Sequence, residues 1–233
     1  MLTCEHGGNR IPPEYRKLFF FHKSLLHSHK AFDKGARELF RTLSKKLKAM
    51  GFLSTTTRLL VDLNRSPESR SLFSFITRSL DEKERMSILL YHYTPYRKEV
   101  SQAVKRCSRK GFPLIHISIH TFAPLLKRKK RETDIGLLFD PSRKSERKFC
   151  LHLRKAMKIR FPGRLIRFNS PYKGTSDGLT SSLRCMFSEG RYLGIELEVN
   201  QKFARMKKHR WQSFRENLAI CFEEVFQKAK RKP

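Results

Sequence analysis

The sequence predicts an α/β fold, and three observations support this prediction. Short runs rich in apolar and β-branched residues recur along the chain, and the strongest of them is LIHISIHTF at 114–122. Between these runs, apolar residues recur at the three- and four-residue spacing of amphipathic helices. The two patterns alternate along the chain, which is typical of proteins that are built on a mostly parallel sheet.

The strands are predicted from composition, in chain order. Residues 1–4 form a short apolar run before a Gly-Gly loop, and STTTRLLVDL at 54–63 is rich in β-branched residues. The run at 114–122 is the longest apolar stretch of this kind. Two shorter runs, at 164–169 and 192–200, complete the set of predicted strands.

The helices are predicted from apolar residues at helical spacing. They are expected at 33–50, 81–110, 145–160 and 211–228. In the first helix, Asp33 is in a position to act as the N-cap and Gly51 to end the helix. In the second, Pro95 is expected to interrupt the helix because proline lacks a backbone N–H.

Length and composition set the broad class of the protein. A chain of 233 residues is most simply one domain over 1–233, and 39% hydrophobic residues suffice for a core. No 18-residue apolar window exists and MLTCEHGGNR lacks an apolar signal-peptide region, so neither a membrane span nor a secretory signal is expected. Five cysteines without a CxxC pair predict reduced thiols and a cytoplasmic location.

The chain is strongly basic, with 51 Lys and Arg against 21 Asp and Glu and a formal net charge of +30. Such a field attracts nucleic acid, acidic lipid or anionic substrates. No zinc-finger spacing or RNP-type motif accompanies it, so nucleic-acid binding is suggested by charge alone. The densest basic run, 127–131, closely follows the strand at 114–122 and is expected to overhang any site there.

Polar residues at the ends of the predicted strands indicate an active site. In α/β folds, ligands bind at the carboxyl ends of the strands. The polar strand ends are CEHGGN (4–9), DLNR (62–65), SIHTF (118–122), NSPYKG (169–174) and IELEVN (195–200). A purely structural sheet is not expected to place ionisable residues at all five.

These residues match the needs of a hydrolytic metal site. Such a site takes about three His or carboxylate ligands, a nearby carboxylate base, and donors that hold an anionic substrate. The candidate imidazoles and carboxylates are His6, His120, Glu5, Asp33 and Glu198. The candidate substrate contacts are Asn64, Arg65, Asn169 and Tyr172.

Alternative roles remain open for several of these side chains. Asp33 could be only a helix N-cap. His116 shares a strand face with His120 but lies deeper in the strand, where a hydrogen-bonded core histidine is expected. Glu196 and Glu198 also share a face, and burying two carboxylates is costly unless they are paired or bind metal.

Eight segments, in order along the chain, together resemble the N-formylglutamate amidohydrolase family, which is related in fold to the zinc carboxypeptidases. They are CEHGGNRIP (4–12), HKAFDKGA (29–36), RLLVDLNRSP (58–67), YTPYR (93–97), SIHTFAP (118–124), DIGLLFD (134–140), NSPYKG (169–174) and IELEVNQ (195–201). The resemblance implies a three-layer αβα fold with a mixed, mostly parallel central sheet. This fold is zinc-carboxypeptidase-like, or phosphorylase/hydrolase-like.

The resemblance also implies roles for individual residues. His6 and His120 match metal-binding histidines, with zinc as the implied metal. Glu198 matches the catalytic glutamate, and Glu196 is the alternate. Arg65 is implied to bind the substrate carboxylate, with Asp62 as the partner that orients it.

The chain departs from these patterns at two positions. Zinc carboxypeptidases have a glutamate ligand where this chain has Asn9, so the third metal ligand must come from elsewhere. Asp33, in the Asp-x-Gly segment, is the first choice and Glu5 is the alternative. The family often has a histidine where this chain has Arg97, so no role is assigned to that segment.

The implied activity is metal-assisted hydrolysis of the amide bond in an N-acyl amino acid such as N-formylglutamate. The expected partner is therefore a small anionic N-acyl amino acid or peptide. The alternative is a non-catalytic basic protein on the same scaffold that binds nucleic acid or another anionic partner.

Overall fold

The central sheet has six strands in this computed structural model, which describes residues 1–109, 113–126 and 128–230. Two further short strands, β4 and β5, form a separate hairpin. The strands are β1 (Leu2–Cys4), β2 (Gly51–Leu53), β3 (Leu114–Phe122), β4 (Leu125–Leu126), β5 (Lys129–Lys130), β6 (Ile135–Leu138), β7 (Ile166–Phe168) and β8 (Tyr192–Asn200).

The sheet order is β2-β1-β3-β8-β6-β7. The first four strands in this order run parallel, whereas β6 is antiparallel to β8 and β7 is parallel to β6. β3 and β8 pair along their whole length, from Leu114 opposite Tyr192 to Phe122 opposite Asn200. The predicted α/β fold with a mixed, mostly parallel sheet is confirmed.

The α-helices are α1 (Lys23–Leu26), α2 (Ala36–Leu47), α3 (Phe75–Arg78), α4 (Glu82–Ile88), α5 (Thr94–Arg109), α6 (Lys144–Arg160), α7 (Leu179–Met186) and α8 (Lys208–Lys230). A 3₁₀-helix covers Pro13–His22, and a π-helix covers Leu89–Tyr93 between α4 and α5. The wider π-helical turn lies just before Pro95, where the missing N–H was expected to break the helix. None of the helices in the described part of the chain is long and apolar enough to cross a membrane.

The two faces of the sheet differ in polarity. On one face, Ile117 and Ile119 of β3 and Ile195 and Leu197 of β8 belong to the main apolar core. Residues of α2, α6 and α8 complete this core, with α8 packed against the other two helices. The alternation of strand side chains places His116, Ser118 and His120 on the opposite face. That face is covered by α5 and α7, so helices lie on both sides of the sheet.

The predicted strand at 54–63 was wrong. The strand in this region is β2, and the residues after it form a turn that carries buried apolar side chains. Leu59, Leu60 and Val61 pack into a second apolar cluster, away from the main core. Thr57 donates its hydroxyl hydrogen bond to the carbonyl oxygen of Ala31. The apolar and β-branched residues of this segment therefore stabilise a loop and do not form a strand.

The prediction of Asp33 as the N-cap of the first helix was also wrong. α2 begins at Ala36, and its N-cap is Gly35, whose φ of 91° suits glycine. Because the chain turns at Gly35, the side chain of Asp33 does not cap the N-terminus of α2. That side chain points instead toward the carboxyl end of β3, where it accepts a hydrogen bond from the backbone N–H of Thr121.

A buried ion pair joins α6, α7 and β8. The Nε of Arg184 lies 3.0 and 3.1 Å from the two carboxylate oxygens of Glu146. The Arg184 guanidinium also donates to the carbonyl oxygens of Gly174 and Gly194, both at 2.6 Å. Both side chains are almost completely buried.

We expect Arg184→Met to lower the free energy of unfolding by about 3 kcal/mol, because the buried Glu146 carboxylate loses its closer cation and keeps only Arg143, whose Nε lies 3.6 Å away. Urea denaturation of the variant and the wild type measures the change. The double variant Glu146→Gln/Arg184→Met is the control and should lose less stability than Arg184→Met alone. An equal or greater loss in the double variant would show that the uncompensated charge is not the cause.

Candidate active site

Two histidines from neighbouring parallel strands meet at one edge of the sheet. His6 follows the carboxyl end of β1, and His120 lies near the carboxyl end of β3. Their ring centroids are 5.1 Å apart, and both side chains are buried. The two imidazoles predicted from the strand ends are therefore brought together.

Asp33 completes a cluster with the two imidazoles. One carboxylate oxygen, Oδ2, lies 3.0 Å from Nδ1 of His120 and 3.6 Å from Nδ1 of His6. The other oxygen, Oδ1, accepts a hydrogen bond from the guanidinium of Arg58. One potential ligand atom from each of the three residues lies within 4.8 Å of the others.

His6 is held in one tautomer by Asp62. Nε2 of His6 lies 2.6 Å from Oδ1 of Asp62. Burial opposes ionisation of Asp62, but His6 and Arg58 outweigh it and hold the pKa of this carboxyl well below its usual range. An ionised carboxylate only accepts hydrogen bonds, so Nε2 carries the proton. Burial and the charge of Arg58 lower the pKa of His6 to about 4, so its Nδ1 is unprotonated at neutral pH.

His120 is held from its other side by Glu5 and Ser118. Nε2 of His120 lies 2.9 Å from the hydroxyl oxygen of Ser118 and 3.1 Å from Oε2 of Glu5. Burial alone would lower the pKa of His120, but the hydrogen bond to Glu5 and nearby carboxylates raise it to about 9. Glu5 thus contacts the ring nitrogen that points away from Asp33, which favours Asp33 over Glu5 as the third ligand.

The residues of this cluster fit a divalent metal ion. Buried Nδ1 of His6 has no hydrogen-bond partner in the described parts of the chain, although an unsatisfied buried nitrogen is costly. Two imidazole nitrogens and a carboxylate are a ligand set that zinc accepts. Carboxylates on the opposite ring nitrogens, here Asp62 and Glu5, are the usual outer partners of metal-binding histidines.

Glu198 and Glu196 lie on the same face of β8 but differ in environment. Glu198 pairs with His120 in register, and its Oε2 has no hydrogen-bond partner within the described residues. Burial raises the pKa of Glu198 to about 7. Glu196 instead accepts a 2.6 Å hydrogen bond from the hydroxyl of Thr180 on α7. Glu198 is therefore the carboxylate that is free to exchange a proton near neutral pH.

The DLNR segment lies beside the histidines, with different contacts from those predicted. The carboxylate of Asp62 bonds to His6, and Asp62 contacts Arg65 through its carbonyl oxygen, which accepts from the backbone N–H of Arg65 at 3.1 Å. The amide nitrogen of Asn64 lies 3.4 Å from Nε2 of His120, and its amide oxygen accepts from the backbone N–H of Leu179. The guanidinium of Arg65 donates hydrogen bonds to two backbone carbonyl oxygens, that of Asn64 at 3.0 Å and that of Asp177 at 2.7 Å.

The loop after β7 reaches the site by crossing back over the sheet. β7 runs opposite to β3 and β8, and its last residue, Phe168, lies level with Leu137 of β6 and Leu197 of β8. Its amide oxygen accepts hydrogen bonds from the backbone N–H groups of Phe139 and Gly174. The loop then passes over β6, where a Cβ on Gly136 would lie 2.1 Å from the carbonyl oxygen of Ser170. Asn169 therefore orders this loop through two backbone N–H groups.

Tyr172 lies on the returning part of this loop and is 44% exposed. Its hydroxyl accepts a 2.9 Å hydrogen bond from the guanidinium of Arg131. Arg58 was not predicted from sequence, and Arg131 was expected near the site only as part of the basic run at 127–131. The chain has 51 lysines and arginines, and no sequence pattern marks these two as site residues. They are recognised only by their contacts in the structure, with Asp33 for Arg58 and with Tyr172 for Arg131.

The model of the N-formylglutamate amidohydrolase family matches residues 1–204. Among solved structures, a gene product of Agrobacterium tumefaciens is similar over 99% of this chain and 91% of its own, with 25% sequence identity and a TM-score of 0.83. An N-formylglutamate amidohydrolase from Ralstonia eutropha JMP134 is similar over 99% of this chain and 94% of its own. Its sequence identity is 14% and its TM-score is 0.71, so this likeness shows the fold alone. No curated protein shows significant similarity to the chain.

The region matched by the family model contains all eight strands and every residue of the site described above. The eight segments that suggested this family from sequence lie within it. The chain therefore belongs to the N-formylglutamate amidohydrolase family.

Proposed function

We propose that this protein is a metal-dependent amidohydrolase that cleaves the amide bond of an N-acyl amino acid such as N-formylglutamate. Family membership supports the amidohydrolase activity. The observation that supports the metal dependence is the buried Nδ1 of His6, which has no hydrogen-bond partner among the described residues and lies 3.6 Å from Oδ2 of Asp33, in a cluster with His120.

His6, Asp33 and His120 would hold the metal, and we propose zinc because two imidazoles and a carboxylate suit it. A zinc ion bound there would polarise the acyl oxygen of the substrate and lower the pKa of a water molecule. Metal binding requires neutral His120, which is protonated at neutral pH in the metal-free protein because its pKa is about 9. Binding should therefore release a proton from this ring.

Glu198 is the proposed general base and acid. Its carboxylate accepts a proton from the water that attacks the acyl carbon, and then delivers that proton to the amide nitrogen as the C–N bond breaks. The products are the carboxylic acid of the acyl group and the free amino acid. A carboxyl pKa near neutrality suits both transfers.

Arg65 and Tyr172 are the proposed contacts to the amino-acid end of the substrate. Two carbonyl oxygens fix the guanidinium of Arg65, and a fixed guanidinium fork suits a carboxylate. Asn64 lies between the histidines and α7 and helps to position both. Asn169 acts through the loop that carries Tyr172. No contact of the site favours the non-catalytic alternative, and family membership does not support it.

The test is hydrolysis of a panel of N-acyl amino acids by the purified 233-residue protein, with bound metal measured by elemental analysis. We expect near-stoichiometric zinc, and release of free amino acid from N-formylglutamate that stops after chelation and returns on adding zinc. N-acetyl and N-formyl derivatives of several amino acids define the substrate range. A metal-free protein with full activity would refute the metal dependence, and no turnover of any N-acyl amino acid with zinc present would refute the proposed reaction.

A further inference from the structure

The outer face of α6 carries a row of exposed basic side chains. They follow one another at spacings of three, four and seven residues, which places them on one face of the helix. This row, the α6 stripe, consists of Lys144, Arg147, Lys148, Lys155 and Lys158. At 1.5 Å per residue, the stripe is roughly 21 Å long. It is distinct from the basic run at 127–131, which belongs to the β4–β5 hairpin; Lys127 of that run lies outside the described residues.

The side chains of the α6 stripe form no ion pair with a carboxylate of the described residues. Glu146, the one acidic residue of α6, is buried and pairs with Arg184. Glu189, at the start of the helix, is engaged by the backbone N–H of Ser145. The positive charges of the stripe are therefore not balanced on the helix, although like charges four residues apart disfavour helix formation.

The other two basic residues of α6 are engaged by side chains. The guanidinium of Arg160 pairs with Glu224 of α8, and that of Arg154 lies 3.8 Å from the ring centroid of Phe168. Lys46 of α2 likewise pairs with Glu223 of α8, at 3.2 Å. The carboxylates of α8 therefore neutralise basic residues on the sides of α2 and α6 that face it, and leave the α6 stripe uncompensated.

We infer that the α6 stripe binds the phosphate backbone of nucleic acid without reading its sequence. Lysines and arginines clustered along one helix are the electrostatic pattern of nucleic-acid-binding proteins. Lysine binds phosphate as a point charge and needs no fixed geometry. Binding to several neighbouring phosphates is favoured because it releases their counterions. Since α6 covers the face of the sheet opposite to His120, this binding goes beyond the proposed function and does not depend on it.

An anionic membrane fits the α6 stripe less well than nucleic acid does. A helix that binds at a membrane interface buries a continuous apolar face among the lipids. The apolar face of α6, with Phe149, Leu153 and Met157, is already packed in the main core. Its exposed large apolar residues, Leu151 and Ile159, are about two helical turns apart and form no continuous face.

The test measures binding of the 233-residue protein to a labelled single-stranded RNA of about 20 nucleotides and to a DNA duplex of about 20 base pairs. Fluorescence anisotropy gives the association constant at several salt concentrations, and we expect its logarithm to fall linearly with the logarithm of the salt concentration. In Lys148→Gln/Lys155→Gln, the slope should be smaller by about 1.4 for the RNA and about 1.8 for the duplex, because two phosphate contacts are lost. Affinity at about 0.1 M salt should fall by about 10-fold or more. Binding of either oligonucleotide with this dependence supports the inference, and the tighter complex identifies RNA or DNA as the source of the phosphates.

Lys98→Gln/Lys105→Gln is the matched control. Lys98 and Lys105 are exposed and also seven residues apart, but they lie on α5, which covers the opposite face of the sheet. The two double variants have the same net charge, so a difference between them reports the position of the charges. We expect the control to keep the wild-type slope. Equal losses of affinity in the two variants would assign binding to the overall field of a chain with a net charge of +30 and overturn the α6 surface.

Two further results would overturn the inference. One is the lack of binding to both oligonucleotides at about 0.1 M salt. The other is binding to vesicles of phosphatidylcholine and phosphatidylglycerol that Lys148→Gln/Lys155→Gln loses while its oligonucleotide binding stays, which would identify a lipid surface as the partner. Hydrolysis of N-acyl amino acids should be the same in this variant as in the wild type, so failure of the proposed function and failure of the α6 surface are observed separately.

Discussion

Glu198→Gln should reduce kcat for N-formylglutamate by about 100- to 10,000-fold, the range typical for loss of a general acid–base group. The glutamine side chain has nearly the same shape, so the packing of β8 should be kept. Bound zinc should also stay close to the wild-type amount, because Glu198 is not one of the proposed ligands. Steady-state kinetics and elemental analysis on the same preparation check the two expectations together.

Glu196→Gln is the matched control on the same strand face. The carboxylate of Glu196 is engaged by the hydroxyl of Thr180, and glutamine can still accept that hydrogen bond through its amide oxygen. We expect a much smaller loss of kcat than in Glu198→Gln. The opposite order, with Glu196→Gln inactive and Glu198→Gln active, would assign the base to Glu196.

The pH dependence gives a second test of Glu198. A base must be ionised, so kcat/KM should rise with pH through the pKa of Glu198 and be lost below it. Burial places this pKa at about 7 in the metal-free protein, and a bound cation would lower it. The midpoint of the acid limb should therefore lie at or below about 7. An acid limb that persists unchanged in the residual activity of Glu198→Gln would assign it to another group.

His120→Ala should abolish stoichiometric zinc binding and amide hydrolysis together. Removing a ligand should weaken binding by more than the roughly 10- to 100-fold loss that is typical for an outer hydrogen-bond partner. Zinc should raise the melting temperature of the wild type, because it binds the folded state, and should not do so in the variant. Differential scanning fluorimetry with and without zinc measures this effect independently of activity.

His116→Ala is the control for loss of a buried histidine from the same strand. His116 lies between the hydroxyl groups of Thr3, at 2.8 Å, and Tyr192, at 2.7 Å. Its removal should cost about 1–3 kcal/mol because these buried hydroxyl groups lose a partner. The zinc-induced rise in melting temperature should remain. If His116→Ala loses this rise while folded and His120→Ala keeps it, the assignment of His120 as a ligand is wrong.

The meeting of His6 and His120 could be predicted from sequence because parallel strands end at one edge of the sheet. The period of two in β3 also separates His120 from the deeper His116. Strand periodicity could not separate Glu196 from Glu198, since both lie on one face. The distinction depends on Thr180 of α7, a helix that the sequence pattern did not predict.

Other features depend on strand direction and turns, which periodicity does not report. β6 was not predicted as a strand, and β7 shares its reversed direction, so the loop that carries Asn169 crosses back over β6. The N-cap pattern at Asp33 was misleading because Gly35 turns the chain before the helix begins. Arg58 and Arg131 became recognisable only through their contacts with Asp33 and Tyr172.

The position of β8 in the sheet has a consequence for biosynthesis. β8 is the last strand in the chain, yet it lies between β3 and β6 in the middle of the sheet. A growing chain therefore carries two unpaired strand edges until residue 200 has left the ribosome, and such edges favour aggregation. Glu198 lies on this same strand, so the sheet and the proposed catalytic carboxylate are completed in one late step of folding.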